Sequence, residues 1–271
     1  MHSAGNGAVY QQEPALCGFL LSREAFMVAT FLPPFSPVGE LLPRLRERGY
    51  AVLEPGSVAA LCGFPLAALD ALKPSWEHLQ PDRYLKDGGR YRRRRHSCFI
   101  VDDDEVTQAA HRAHWQSLDY NALHGGMQRW FEPMQPEVVA QPAWTGLLAT
   151  LGRCCSGLKG AQRWYVEAHQ FRIDTSDGIG RPTPEGAHRD GVDMVAVMLV
   201  DRVGIKGGET RVFAASGPDG QRFTLEAPWS LMLLDDERVI HESTPIQPLA
   251  EAGHRDTLVL TYRAGSFQGD E

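Results

Sequence analysis

VDMVAVMLVD (residues 192–201) is one of seven short β-rich runs that follow one another after about residue 160. The others are WYVEAHQFRI (164–173), ETRVFAA (209–215), QRFTLEA (221–227), WSLMLLD (229–235), RVIHES (238–243) and DTLVLTYRA (256–264). Glycine, proline and aspartate separate the runs, and no long helical pattern interrupts them. Short strands with turn residues between them predict a sandwich or barrel and count against parallel βαβ units.

The chain before residue 160 carries helical patterns instead. They predict a short strand over 50–53 and helices over 37–48, 58–72 with a break at Pro65, 102–118, and from Pro142 onward. The acidic residues at the start of 102–118 support that helix, because a helix dipole favours negative charge there. No flexible linker lies near residue 160, so we expect residues 1–271 to form a single domain. In it, residues 1–160 form a mostly helical support and residues 161–265 form the β core.

The composition excludes several classes of protein. Lys plus Arg number 27 and Asp plus Glu number 34, which gives a net charge of −7; a general nucleic-acid binder needs a net basic surface. The apolar stretch 15–32 is interrupted by Arg23 and Glu24, so it does not predict a membrane span, and no targeting segment is recognised. Five scattered cysteines fit reduced thiols better than a disulfide framework. We therefore expect a cytoplasmic protein without nucleic-acid or membrane partners.

His188 and Asp190 form an H-x-D pair that can present two ligands to one metal, because residues i and i+2 of an extended chain point to the same side. The pair alone is weak evidence, since His254 and Asp256 form a second copy, which no downstream histidine can complete. His241 lies far enough after Asp190 for intervening strands to bring it back beside the first pair. Two histidines and one carboxylate on one face of a metal suit a non-haem Fe(II) oxygenase. We expect His188, Asp190 and His241 to be the metal ligands and the catalytic residues.

Arg255 and Thr257 share one face of the last β-rich run. A guanidinium that grips a carboxylate in two parallel hydrogen bonds, helped by a hydroxyl, is strong and directional. The far carboxylate of 2-oxoglutarate needs such a clamp. The spacing therefore favours Arg255 and Thr257 as residues that bind this co-substrate beside the metal.

Together, His188-x-Asp190, His241 and Arg255-x-Thr257 resemble the pattern of the Fe(II)/2-oxoglutarate-dependent dioxygenase superfamily, which is H-x-D/E, a distal H and R-x-S/T. GGETRVF (207–213) resembles a turn and strand of its prolyl-hydroxylase-like members. Residues 165–263 are similar to the bacterial branch that includes L-isoleucine dioxygenase, which hydroxylates free aliphatic amino acids. The likeness extends more loosely to RYRRRRHSCF (90–99) and YNALHGG (120–126).

The resemblance implies a mainly β fold with helical N-terminal support around a double-stranded β-helix, the jelly-roll also found in cupins. It implies Fe(II), 2-oxoglutarate and O₂ as cofactor and co-substrates, with ascorbate helpful in vitro. The implied reaction hydroxylates an unactivated C–H bond of a small molecule, a free L-amino acid, and releases succinate and CO₂.

Two rival functions share this fold. One is another metal-dependent jelly-roll enzyme, such as a cupin-type isomerase or an oxygenase that does not use 2-oxoglutarate; the Arg255 clamp argues against it. The other is a non-catalytic binding module, against which the complete set of ligands argues.

Several residues have two interpretations. Gln170 and Arg172 share one face of the run 164–173. That face either points into the barrel, where Gln170 would bind 2-oxoglutarate or the substrate, or is covered by the N-terminal helices. The basic run from Arg90 to Arg95 is either a solvated or ion-paired segment or a grip for an anionic group. Arg92 to Arg95 and Asp193 are candidates for binding an amino acid.

Three further segments complete the expectations. The loop 175–187 (TSDGIGRPTPEGA) either covers the substrate or merely connects two strands. His111 and His114 are predicted to be surface or packing histidines on the helix 102–118. Cys154 and Cys155 are predicted to be ordinary thiols near the end of the helix that starts at Pro142.

Overall fold

The computed structural model describes residues 31–270. Of the apolar stretch 15–32, only residues 31 and 32 are described. Cys17 lies outside the described residues. Within the described part, no single helix has the length and apolar character to cross a membrane. One sharply bent pair of helical segments, Pro55–Cys62 with Leu66–His78, is long and apolar enough when the two are counted together, by length and composition alone. Location in the cytoplasm stays a prediction.

Residues 31–270 form α-helices, strands and two short 3₁₀ helices, Val38–Glu40 and Lys73–His78. The α-helices are α1 (Leu41–Arg48), α2 (Pro55–Cys62), α3 (Leu66–Asp70), α4 (Pro136–Val139) and α5 (Pro142–Lys159). The strands are β1 (Tyr50–Leu53), β2 (Gln80–Pro81), β3 (Arg92–Asp102), β4 (Glu105–Gln108), β5 (Trp164–Asp174), β6 (Met194–Val203), β7 (Ile205–Gly207), β8 (Thr210–Ala214), β9 (Gly220–Phe223), β10 (Leu231–Asp235), β11 (Val239–Ser243), β12 (Ile246–Pro248) and β13 (His254–Ala264).

A large antiparallel sheet forms one wall of the molecule. Its strand order is β1-β10-β6-β13-β5-β3-β2, with β4 paired to β3. Two smaller antiparallel sheets, β11-β8-β9 and β12-β7, complete the β core. The mainly β architecture with N-terminal helices confirms the predicted jelly-roll fold.

Strand β6 shows why the run VDMVAVMLVD is apolar on both faces. Met194, Ala196 and Met198 belong to the core that α5 and the other helices form on one face of the large sheet. Val195 and Val197 belong to a second core on the opposite face, together with residues of β8 and β9. A strand covered on both faces has no solvent-facing positions and is apolar throughout.

Helix α5 is the main cover of the large sheet. Pro142 lies in its first turn, where the missing N–H is not needed, and the predicted stripe Leu147, Leu148 and Leu151 is fully buried. Trp144 is also fully buried, and its ring meets the ring of Phe99 on β3 edge to face at a centroid distance of 5.5 Å.

Replacing Trp144 with alanine should lower the free energy of unfolding by about 3–5 kcal/mol, because it leaves a large cavity between α5 and the sheet. Urea denaturation followed by circular dichroism measures the change. Trp130 is 53% exposed, so Trp130→Ala is a matched control with an expected change of about 0.5 kcal/mol or less. Equal losses in the two variants would contradict this account of the core.

The prediction of a helix over 102–118 is wrong. Strand β3 ends at Asp102, and β4 pairs back onto it from Glu105, so the acidic cluster forms a hairpin turn. Asp103 has a φ of 54° in this turn, a left-handed conformation that aspartate tolerates better than most residues. The region before residue 160 therefore contributes strands to the main sheet as well as helices, and "mostly helical" does not describe residues 92–108.

The GGET turn requires both of its glycines. Gly207 and Gly208 have φ angles of 80° and 68°. A Cβ on Gly207 would lie 2.3 Å from the carbonyl oxygen of Pro245, and a Cβ on Gly208 would lie 2.9 Å from Ile246. The turn thereby passes close to the segment that follows β11 and starts β8 in register beside that strand.

Candidate active site

His188, Asp190 and His241 lie together in the wall of a cavity between the large sheet and β11. The Nε2 atom of His188 is 3.8 Å from Oδ1 of Asp190, and Nε2 of His241 is 3.8 Å from Oδ2 of the same carboxylate. One ligand atom from each residue lies within 4.8 Å of the other two. This is the donor set of a divalent iron site, with two imidazoles and one carboxylate.

The backbone around the three residues is held by groups that are remote in sequence. His188 and His241 exchange two backbone hydrogen bonds of 3.0 Å, so the H-x-D segment pairs directly with β11. The buried carboxylate of Asp236 accepts hydrogen bonds from the backbone N–H groups of residues 190, 191 and 192, at 3.0, 2.8 and 3.2 Å. The side chain of Gln268 donates to the carbonyl oxygens of residues 190 and 191. These hydrogen bonds hold the backbone of the segment that carries Asp190 in place.

Protons and charges in this wall suit a cation. Nδ1 of His188 donates to the carbonyl oxygen of Gly186 at 3.0 Å, which leaves Nε2 free as a ligand atom. Burial lowers the pKa of His241 to about 3, so its imidazole is neutral. Burial also acts to lower the pKa of His188, but the charges of Asp190 and Glu185 outweigh it and raise that pKa. The negative charge that surrounds His188 would favour a bound divalent ion.

Replacing Asp236 with asparagine should weaken Mn(II) or Fe(II) binding about 10- to 100-fold, because groups that orient metal ligands typically contribute this much. The new amide would turn an N–H donor toward backbone N–H donors and loosen the segment that carries Asp190. Metal titration measures the affinity. Asp235→Asn is the matched control, since the neighbouring carboxylate binds Lys159 at 2.8 Å instead. Equal affinities in the two variants would rule out this role for Asp236.

Arg255 and Thr257 line the same cavity from β13. Arg255 is 3% exposed, and its Nε and Nη2 atoms have no hydrogen-bond partner among the described residues. Burial, aided by the charge of Arg202, lowers the pKa of Arg255 to about 10. A buried guanidinium with unused donors fits an anionic ligand, as predicted for the 2-oxoglutarate clamp.

The structure does not bring Gln170 to this cavity. Side chains alternate along β5, and it is His169, Phe171 and Ile173 that line the cavity. The Gln170 amide lies on the opposite face, where it donates to the hydroxyl of Ser75 at 2.7 Å. The N-terminal segment therefore covers this face of the strand, the second of the two interpretations.

The same alternation divides the basic run. Arg92 and Arg94 line the cavity from β3. Arg93 lies 3.6 Å from Asp174, and Arg95 donates to the carbonyl oxygens of residues 78 and 133. Asp193, the other predicted substrate contact, accepts a hydrogen bond from the backbone of residue 264 and does not line the cavity.

Five cavity residues come from the irregular segment 109–135, of which residues 109–118 belong to the helix predicted over 102–118. They are His114, Gln116, Asn121, His124 and Arg129. No periodic pattern marks them, and the only hint was the YNALHGG run. His114 is buried and lies on no helix, whereas Nε2 of His111 donates to the carbonyl oxygen of Phe131 at 2.8 Å.

The loop 175–187 supplies Pro182, Thr183 and Glu185 to the cavity wall. The Thr183 hydroxyl donates to the carbonyl oxygen of Ser243 at 3.0 Å and ties the loop to β11. Its role as a cover for the substrate stays a prediction.

Comparison with known proteins assigns the family. The model of the 2OG-Fe dioxygenase family matches residues 73–261. The chain belongs to the 2OG-Fe dioxygenase family. The dioxygenase is 55% identical to a BsmA homolog from Methylobium petroleophilum PM1, with a TM-score of 0.83 over 89% of this chain and 98% of that one. No curated protein matches it.

Two more distant structures share the fold of this dioxygenase. IDO from Bacillus thuringiensis has 17% identity and a TM-score of 0.70, covering 84% of this chain and 100% of that one. The Fe(II)/(alpha)ketoglutarate-dependent dioxygenase TqaL has 20% identity and a TM-score of 0.65, covering 85% and 90%.

Membership of the family makes the chain an oxidoreductase that uses Fe(II), 2-oxoglutarate and O₂ and acts on a small molecule. This favours a dioxygenase over both rival functions. His188, Asp190 and His241 are its candidate iron site.

Proposed function

We propose that this dioxygenase hydroxylates an unactivated C–H bond of a free L-amino acid and releases succinate and CO₂. His188, Asp190 and His241 would hold the iron, and Arg255 with Thr257 would bind the far carboxylate of 2-oxoglutarate. The observation that carries the proposal is that both sets of residues line one buried cavity. Iron, 2-oxoglutarate and O₂ supply the oxidising chemistry when bound.

The remaining cavity wall suits an aliphatic substrate with a charged end. Apolar side chains of the large sheet lie in it, namely Ile173, Val197, Met232 and Val259, and Val192 follows the ligand segment. These side chains would pack against an aliphatic chain and keep water away from the C–H bond to be oxidised. Guanidinium groups at another part of the wall would bind a carboxylate. An amino acid combines these two features, in keeping with the resemblance of residues 165–263 to amino-acid hydroxylases.

A substrate panel tests the proposal. The protein is incubated with Fe(II), 2-oxoglutarate, ascorbate and each proteinogenic L-amino acid in turn, and succinate and products are read by mass spectrometry. We expect one or a few aliphatic amino acids to give a product that is one oxygen atom heavier, with matching succinate. Succinate formation that no amino acid stimulates would reject the substrate class, and product without succinate would reject the use of 2-oxoglutarate.

A further inference from the structure

A second polar cluster lies beside the cavity and consists of His96, His114, Glu167 and His169. One ligand atom from each lies within 4.8 Å of the others, so the group has the composition of a metal site. Three of its members already bond one another, and the fourth, His169, bonds Arg94. Oε2 of Glu167 lies 2.9 Å from Nε2 of His96 and 2.6 Å from Nδ1 of His114, and the Nδ1 atom of His169 accepts from Arg94 at 2.7 Å. The ring of His169 stacks on that of His96 at a centroid distance of 4.7 Å, so the cluster packs together and holds Arg94 in place.

Arg94 is held mainly by uncharged groups. Its guanidinium carbon is 3.8 Å from the ring centroid of Phe131 and 4.5 Å from that of Phe171. Burial lowers the pKa of His169 well below its usual range, so the imidazole that accepts from Arg94 is neutral. The nearest carboxylate, Asp82, is 3.9 Å from Arg94 and is bonded to Arg92 at 2.7 Å.

Arg129 is the second guanidinium in this part of the wall. It is 2% exposed, its Nη2 donates to Oε1 of Gln116 at 2.9 Å, and its Nε has no partner. No carboxylate lies within 4.0 Å of it in the part of the chain that the structure describes. Burial, aided by the charge of Arg92, lowers the pKa of Arg129 to about 10.

The guanidinium groups of Arg94 and Arg129 leave buried donors unused. The Nε atom of each has no hydrogen-bond partner among the described residues, although Glu185 lines the same cavity. Buried donors without partners are unfavourable unless a ligand accepts from them, and an anion is the ligand that suits two guanidinium groups.

We propose that Arg94 and Arg129 form a subsite that binds the carboxylate of the substrate. The identification of that carboxylate as part of an amino acid rests on the proposed function. Gln116 links the subsite to the candidate iron site, because its Oε1 accepts from Arg129 and its Nε2 donates to Oδ1 of Asp190 at 3.2 Å. A carboxylate bound by Arg129 therefore lies one side chain away from an iron ligand, and the substrate chain can reach the metal.

The subsite is separate from the 2-oxoglutarate clamp. Phe171 on β5 pairs with Thr257 on β13 at one side and with Arg94 on β3 at the other. Two strand spacings, roughly 10 Å, thus separate the backbone of Arg94 from that of Thr257 in the clamp. One cavity can bind two different carboxylates at the same time.

Binding measurements test the subsite without relying on turnover. Mn(II)- and 2-oxoglutarate-loaded protein is titrated by calorimetry with the proteinogenic L-amino acids and with 3-methylpentanoate, an aliphatic acid without an amino group. For each amino acid that binds, its carboxamide is titrated as well. The variants are Arg129→Gln and Arg94→Gln. Arg95→Gln is the matched control, because its side chain leaves the same strand on the opposite face and bonds backbone carbonyl oxygens.

We expect each of Arg129→Gln and Arg94→Gln to weaken amino-acid binding about 100-fold, as for other buried charged partners, and to bind 2-oxoglutarate like the unmodified protein. The carboxamides should bind the unmodified protein as weakly as the amino acids bind the two variants. Arg95→Gln should leave the affinities for the amino acids and for 2-oxoglutarate unchanged. Unchanged amino-acid binding in the two variants would overturn the subsite, as would a parallel loss of 2-oxoglutarate binding, which indicates a structural role.

The two proposals fail in different ways. If only 3-methylpentanoate binds and Arg129→Gln abolishes its binding, the subsite stands and the amino-acid function falls. If neither the amino acids nor 3-methylpentanoate bind, the subsite is rejected. A second tightly bound metal ion per chain that disappears in Glu167→Gln would overturn the assignment of the histidine cluster as a hydrogen-bonded support.

Discussion

Replacing His241 with alanine should reduce succinate formation to the level measured without iron. The imidazole supplies one of three candidate ligand atoms, and among the described residues His188 is the one other histidine in the same group. Its strand position is set by the two backbone hydrogen bonds to His188, so the backbone should survive the loss of the side chain. The remaining histidine and carboxylate would no longer form the facial set that suits Fe(II).

The chain contains its own control for this prediction. His254 belongs to the second H-x-D pair, and its Nε2 lies 3.6 Å from Asp256 rather than near the cavity. His254→Ala should therefore retain Mn(II) binding and turnover, whereas His241→Ala loses both. Mn(II) titration separates loss of the metal from loss of a later step. Retention of metal binding by His241→Ala, or its loss in His254→Ala, would show that the ligands have been wrongly assigned.

Replacing Arg255 with glutamine should weaken 2-oxoglutarate binding about 100- to 1,000-fold, which corresponds to about 3–4 kcal/mol. The guanidinium is buried and offers two unpartnered nitrogens to the cavity. Its removal would leave the far carboxylate of the co-substrate desolvated and unpaired. Arg255→Lys should recover only part of the loss, because an ammonium cannot make two parallel hydrogen bonds to one carboxylate.

Titration of Mn(II)-loaded protein with 2-oxoglutarate measures this effect directly. Arg172→Gln is the control: Arg172 stands on β5 and its guanidinium bonds Asp256 and Glu77 on the opposite face of the sheet. That variant should lose stability but keep its affinity for 2-oxoglutarate. If the Arg255→Gln protein still binds 2-oxoglutarate tightly, Arg255 does not bind the far carboxylate of the co-substrate.

The fold was the most predictable feature of this chain. Repeated β-rich runs with turn residues between them indicate a jelly-roll, and the continuous apolar stretch of β6 matches a strand that is buried on both faces. The helix over 102–118 was predicted wrongly because acidic residues favour a helix start and a hairpin turn alike. What distinguishes the two is the pairing of β4 with β3, a contact that no helical pattern contains.

The candidate site was only partly predictable. The metal and co-substrate residues carry a recognisable spacing, but Arg129, His114 and Asp236 do not. Arg129 and His114 lie in an irregular segment, and Asp236 lies in the turn after β10. Neither segment has a repeating hydrophobic pattern from which the direction of a side chain could be predicted.

The sequence by itself determined the seven β-rich runs after about residue 160, the spacing of His188, Asp190, His241 and Arg255, and the fact that Gln170 shares a face with Arg172. The tertiary structure decided which face of each strand points inward. It turned Arg92 and Arg94 into the cavity and Arg93 and Arg95 away from it, and it placed Gln170 against the N-terminal segment. The physical reason is that alternation along a strand fixes which residues point together, whereas the layer that packs on each face selects the direction.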